Sequence, residues 1–162
     1  MTDHVARVVE QWHAERPDLD VSPLSVIARL HRVGNALTEE LVRLYAEHGL
    51  GEGEFDVMAT LRRTGRPFEL SAGDLAAQTM VTAGAISKRV DRCVERGWVT
   101  REVSDEDGRG RRVRLTPAGA RLIDRAFAAH VANEARLLEP LGRRDRAQLA
   151  RILERWAEAL GV

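Results

Sequence analysis

Between Ser71 and Gly119 the spacing of apolar residues switches from a helical repeat to alternation, and that switch constrains the fold more than any other feature of the chain. Ser71 and Asp74 stand in the S-x-x-D relation of a capping box, opening a short helix with Leu75 and Ala76 on its apolar face. Thr82 is placed to N-cap a second helix ending at Gly97, where a residue tolerant of positive φ is wanted. Ile86, Val90, Cys93 and Val94 recur at helical spacing and predict its inward face. Trp98 to Val103 and Arg111 to Leu115 then alternate at period two, with Ser104 to Gly110 as a polar tip. Helix, turn, helix and hairpin in that order predict a winged helix-turn-helix.

The outward face of the second helix carries Ser87, Lys88, Asp91 and Arg92, with Thr82, Ala83, Gly84 and Ala85 at its front. Small residues and cations there suit close approach to a DNA major groove. The expected DNA contacts are Thr82, Ala83, Gly84, Ser87, Lys88 and Arg92. The hairpin tip adds Arg109 and Arg111. Four arginines fall between positions 109 and 114 with no acid among them, and flanking glycines allow a thin loop to enter a minor groove. Asp107 is expected to hold a wing arginine through a charge-assisted hydrogen bond.

Formal net charge is zero, which by itself does not mark a nucleic-acid binder. Its distribution does. Residues 1–20 hold two arginines against five acids, a net of −3, whereas residues 82–116 hold nine Lys or Arg against six acids, a net of +3. Lys88 is the one lysine among 25 basic residues, a bias that reads as G+C-rich coding.

On either side of this module the chain reads as helix. Val5, Val8, Val9 and Trp12 share a face of a first helix, which R-P-D-L-D at 16–20 breaks. Ser22-Pro23 restarts a long one, Ser as N-cap and Pro at N1, striped by Ile27, Leu30, Leu37, Leu41 and Leu44 as far as Gly49. Gly53 to Thr64 forms the next. Thr116-Pro117 opens another that Pro140-Leu141-Gly142 ends, and Leu149, Ile152, Leu153, Trp156 and Leu160 stripe the last. The predicted class is mainly α with a small β-hairpin wing. The predicted divisions are 1–20 for an extra N-terminal helix and linker, 21–50 for a dimerisation helix, 51–116 for the DNA-binding lobe, and 117–162 for C-terminal dimerisation helices. Leftover apolar faces predict a homodimer, and a two-fold dimer of such modules reads a palindromic duplex.

No apolar run reaches membrane-spanning length and no charged-then-apolar leader is present, so the expectation is a cytoplasmic protein without a membrane partner. A single cysteine cannot form an internal disulfide. His4, His13, His31, His48 and His130 are scattered without ligand spacing, so no metal site is expected. No nucleophile elbow, phosphate-cradling loop or acid pair in a recognisable setting is present, and no catalytic residue, enzyme activity or cofactor is expected.

The run L-A-x-x-x-x-V-x-x-G-x-I-S-K-R-V-D-R-x-x-x-R-G-W-V, followed by D-E-D-G-R-G-x-x-V-R-L-T-P-A-G, strongly resembles the multiple-antibiotic-resistance regulator (MarR) family. The resemblance is densest over 71–119 and extends in layout over roughly residues 30–160. Gly108 and Cys93 depart from the residues usual there, arginine and leucine. The family implies a homodimeric winged-helix transcription factor, usually a repressor, released from a palindromic operator by a small anionic or phenolic effector. The extra helix with its tryptophan, then R-P-D-L-D, is similar to the urate-responsive branch, which includes regulators answering to trans-aconitate. That similarity implies a pocket of one tryptophan, one aspartate and two arginines, matched here by Trp12, Asp56, Arg89 and Arg101. An arginine fork can take a planar oxygen edge or a carboxylate bidentately. Two other readings remain open: a thiol-switched regulator acting through Cys93, and a winged-helix protein-interaction module that binds no DNA.

Overall fold

The structure, a computed structural model, describes residues 3–79, 83–103 and 111–161. The chain forms two compact units, Met1–Arg43 and Leu44–Val162, whose border falls inside a long helix. The first unit holds α1 (His4–Glu15), N-capped by Asp3, whose side chain accepts from the Ala6 N–H at 2.8 Å. The other oxygen of that carboxylate accepts from Arg29 Nε at 2.8 Å, so one aspartate caps α1 and ties it to α2 (Leu24–Glu47). Pro23 precedes the first residue of α2 rather than occupying it, and Gly49 at φ +71° terminates the chain's helical run.

The second unit contains α3 (Glu52–Arg63), β1 (Glu69–Ser71), α4 (Ala72–Gln78), α5 (Ala83–Glu95), β2 (Val99–Val103), β3 (Arg111–Leu115), α6 (Pro117–Leu137) and α7 (Arg143–Leu160). Local signals placed these ends. Ser71 Oγ accepts from the Asp74 N–H at 3.0 Å and donates to the Asp74 carboxylate at 2.7 Å. Thr116 Oγ1 accepts from the Gly119 N–H at 3.0 Å, with Pro117 at the first position of α6.

The sheet has three strands in the order β1-β3-β2, both pairings antiparallel, where the sequence predicted a two-stranded hairpin. β1 escapes periodicity because three residues, Glu-Leu-Ser, are too few to show alternation. It is held by pairing with β3 in the register Glu69↔Arg114 and by Glu69 itself, whose nearly buried carboxylate accepts from Arg112 and Arg114. Two of the wing arginines are therefore committed to the sheet. The core lies where α3, α5 and α6 meet the sheet, with Met58, Leu61, Leu75, Val90, Val113 and Ile123 fully buried. Burying side chains of this size stabilises by about 1.5–3 kcal/mol each. No helix among the described residues is long and apolar enough to cross a membrane.

Candidate nucleic-acid interface and effector cavity

α5 is the helix the sequence assigned to reading. Ile86, Val90 and Cys93 are buried, which turns Gly84 and Lys88 outward on the opposite side. Lys88 is exposed and forms no ion pair among the described residues. Ser87 is partly buried, and Arg111 is exposed at the start of β3. Thr82 and Arg109, also expected to touch DNA, lie outside the described residues, as do Asp107 and the side chain of Ala83.

Arg92 has a partner other than DNA. It sits on the edge of α5 that faces α3, where its Nε donates to Glu54. Glu54 is buried, and burial raises its carboxyl, but the Arg92 guanidinium and the α3 amides outweigh that and hold it below the usual carboxylate range. Sequence reasoning put Arg92, four residues after Lys88, on the outward face, and its side chain is half exposed there. It missed Glu54, 38 residues away in the chain.

Arg89 lies on the same edge. Its Nη1 donates to Asp56 Oδ2 at 2.9 Å, joining the two expected effector residues that α3 and α5 supply. This pair is less well compensated. Burial pushes the Asp56 carboxyl up, more than the Arg89 and Arg63 charges and the Arg89 hydrogen bond draw it down, and Glu52 adds to the rise. Arg101 is not brought to Asp56. It extends from β2 along the opposite edge of α5, where Nη1 meets Asp91 at 2.8 Å and Nη2 lies 3.4 Å from the Ser87 carbonyl. Trp12 lies on α1 in the first unit, half exposed.

Two cavities meet at Asp56. One, about 410 Å³, is bordered by Tyr45, Glu52, Phe55, Asp56, Thr79 and Arg89. The other, about 620 Å³, shares Asp56, Ala59 and Thr79 and adds Arg62, Arg63, Ile123, Asp124 and Phe127. Both volumes suit a small ligand. Arg62 is tied to Asp124 at 2.7 Å, and Arg63 Nη2 donates to the Gln78 carbonyl at 3.1 Å. The apolar wall is an aromatic cluster that sequence reasoning did not single out. Tyr45 stacks on Phe55 with centroids 4.0 Å apart, and His130 and Phe127 extend the cluster onto α6. The Tyr45 hydroxyl meets His130 Nδ1 at 3.1 Å. Burial, with the charges of Glu134, Glu52 and Asp56, pushes it up to about 12, so it stays a neutral donor at physiological pH. Such a pocket offers flat apolar surface beside one arginine fork, suited to a small planar anion.

The thiol alternative meets a clear obstacle. Cys93 is fully buried, and burial, with the nearby Glu54 charge, pushes its thiol up to about 12. The native protein is expected to leave Cys93 unlabelled by a thiol reagent near neutral pH, whereas the denatured chain reacts at once. Fast native labelling accompanied by loss of DNA binding would restore the thiol switch. No cluster of potential metal ligands occurs among the described residues.

A profile described as the MarR family matches residues 48–110, the stretch from the turn before α3 to the wing. The chain is 36% identical over 151 residues to the HTH-type transcriptional regulator PecS of Dickeya dadantii (strain 3937), covering 93% of this chain and 91% of that protein. It is 24% identical over 151 residues to the HTH-type transcriptional repressor YetL of Bacillus subtilis (strain 168), covering 93% and 90%. Among solved structures, AbsC, a MarR family transcriptional regulator from Streptomyces coelicolor, superposes with a TM-score of 0.77 at 25% identity, over 88% of this chain and 97% of that one.

Proposed function

We infer that this chain, which belongs to the MarR family of winged-helix DNA-binding transcriptional regulators and is not an enzyme, is a homodimeric repressor that a small planar anion releases from a palindromic operator. Urate is the proposed effector, with trans-aconitate as the related alternative. The observation that carries this reading is the Arg89–Asp56 pair. It joins the reading helix to the wall of a cavity of ligand size, so an anion that takes Arg89 also acts on α5. An arriving anion competes for the guanidinium and repels Asp56, whose carboxyl is already raised and so takes up a proton more readily. Arg89 is the proposed first contact, and Asp56, its partner, is the carboxylate the anion displaces. Trp12 and Arg101 enter on the resemblance alone, and each is tested separately by replacement.

The homodimer is supported by apolar side chains left exposed on the single chain. α2 exposes Val26, Ile27, Leu30, Val33 and Leu37, and α7 exposes Leu149, Ile152, Leu153 and Leu160. A two-fold dimer spaces its reading helices by about 34–36 Å, one duplex turn.

DNA reading is tested by selecting a duplex with the protein from a random library and following affinity against salt. Binding is expected to fall steeply with salt. Lys88→Ala is expected to weaken it across sequences and to lower the salt slope by about 1. A chain that selects no duplex is the result expected of a protein-interaction module. The effector is tested by a thermal-shift panel of urate, xanthine, hypoxanthine, trans-aconitate and salicylate. A true ligand at 100 times its Kd stabilises by about 2.7 kcal/mol, and no shift with any of them removes the proposed effector class.

A further inference from the structure

The start of α3 holds two arginines of α5. Glu54 takes Arg92, and Asp56 takes Arg89. The two pairs are built differently. The Glu54 side chain is only 11% exposed and sits at the α3 N-terminus, where the helix end favours a carboxylate, although its Arg92 partner is 53% exposed against 26% for Arg89. The Asp56 side chain is 38% exposed and stands at the junction of two cavities. Each pair has its clearance from a glycine. A Cβ on Gly51 would lie 2.3 Å from Glu54 Oε2, and a Cβ on Gly53 would lie 3.0 Å from Cγ, Cδ and Nε of Arg89.

We propose that Arg92–Glu54 is a fixed latch that positions the reading helix, and that Arg89–Asp56 is the releasable one. Arg92 then serves DNA recognition as a positioning residue. The inference rests on the reading of α5 as the DNA helix. The two latch points are three residues apart along α5, about 4.5 Å of axial rise. Freeing Arg89 while Arg92 stays held swings the N-terminal half of α5 about the Arg92 end. The displacement is greatest at Gly84 to Lys88, the end that presents small residues and the exposed lysine. A fixed point close to a releasable one converts a local loss of one ion pair into a rotation of the reading end. Without the fixed point the same loss lets the whole helix drift.

The test uses the full chain with Glu54→Gln, Arg92→Gln, the two combined, and Gly51→Ala. The last alters neither charge, and Gly51 sits at φ −87°, which alanine accepts, so it displaces the Glu54 carboxylate by steric contact, beside a small loss at the α3 N-cap. Affinity for a duplex selected by the wild-type protein is measured over a range of salt, with hydrogen exchange of the Ala83–Glu95 segment on the same samples. All four variants are expected to bind about tenfold more weakly. The combined variant should be no weaker than either single one, and the salt slope should equal that of wild type. Exchange in Ala83–Glu95 should rise, with α6 unchanged. Wild-type affinity in Glu54→Gln overturns the latch, as does a salt slope lowered by about 1 in Arg92→Gln alone, the mark of a direct phosphate contact. A wild-type chain that selects no duplex refutes the DNA reading of α5, and exchange still decides the latch: unchanged protection in Glu54→Gln and Gly51→Ala refutes it.

Discussion

Replacing Gly119 with alanine is expected to destabilise the protein by about 3 kcal/mol, the top of the usual range for an overpacked site. Gly119 is the third residue of α6 and is buried. A Cβ there would stand 2.0 Å from the Trp98 carbonyl oxygen, 2.9 Å from the carbonyl carbon and 3.1 Å from Cα, all backbone atoms that no rotamer change can move. α6 cannot withdraw without further loss. The same carbonyl oxygen accepts from the Thr116 N–H at 3.0 Å and from Thr116 Oγ1 at 3.2 Å, which fasten the start of α6 to the start of β2. For a chain of this length, about 3 kcal/mol lowers Tm by roughly 6–12 °C. Thermal unfolding without DNA or ligand reads the effect. Gly73→Ala in α4 is the control, because its Cβ meets nothing nearer than Ser71 Oγ at 3.8 Å and helix propensity favours alanine there. A Gly119→Ala protein melting within a degree or two of wild type contradicts the close approach of α6 to Trp98.

The second large effect concerns the switch. Arg89→Gln is expected to abolish the effector response while leaving the fold intact, because the side chain is partly solvated and the core around α5 is set by Ile86, Val90 and Cys93. Coupling of an effector site to a DNA site is typically worth 1–3 kcal/mol, or about 5–150-fold in affinity. With the arginine gone an anion has no guanidinium to take from Asp56, and the response is expected to fall below about twofold. Asp56→Asn removes the competing charge instead. It should bind the anion at least as tightly as wild type while transmitting little. The contrast between a variant that fails to bind and one that binds without responding separates recognition from transmission. Loss of anion binding in Asp56→Asn, by contrast, assigns that carboxylate a direct role in holding the ligand.

What the sequence made legible was local. Ser71, Thr116 and Pro117 declare their helix ends within three residues, and Val99 to Leu115 declares the wing by alternation, so neighbours in the chain suffice. β1 was invisible because its strand character comes from β3, more than 40 residues later. The arginines show the same division. Charge type and spacing separate outward from inward positions on α5, but not which edge faces α3 and which faces β2. Arg92 was read from that spacing as a DNA contact, and its half-exposed guanidinium also meets Glu54; Arg101 was grouped with Asp56 by the resemblance, and in the structure it meets Asp91. The aromatic wall brings together Tyr45, Phe55, Phe127 and His130 from three helices, and no single periodicity links them. One signal was present and unused. Gly51 and Gly53 alternate with Glu52 and Glu54 at the start of α3, and although glycine is an ordinary N-cap at Gly51, Gly53 lies inside the helix where propensity disfavours it, and both prove to be clearance for side chains that cross from or reach toward α5.

The most direct measurement is an anisotropy titration of the selected duplex with wild-type protein and with Asp56→Asn, repeated at increasing urate. Wild-type affinity is expected to fall saturably by about 5–150-fold, with the variant's affinity holding within about twofold over the same range. Wild-type affinity that does not change with urate or with trans-aconitate, or a loss of equal size in Asp56→Asn, contradicts the claim that the Arg89–Asp56 pair couples the cavity to the reading helix.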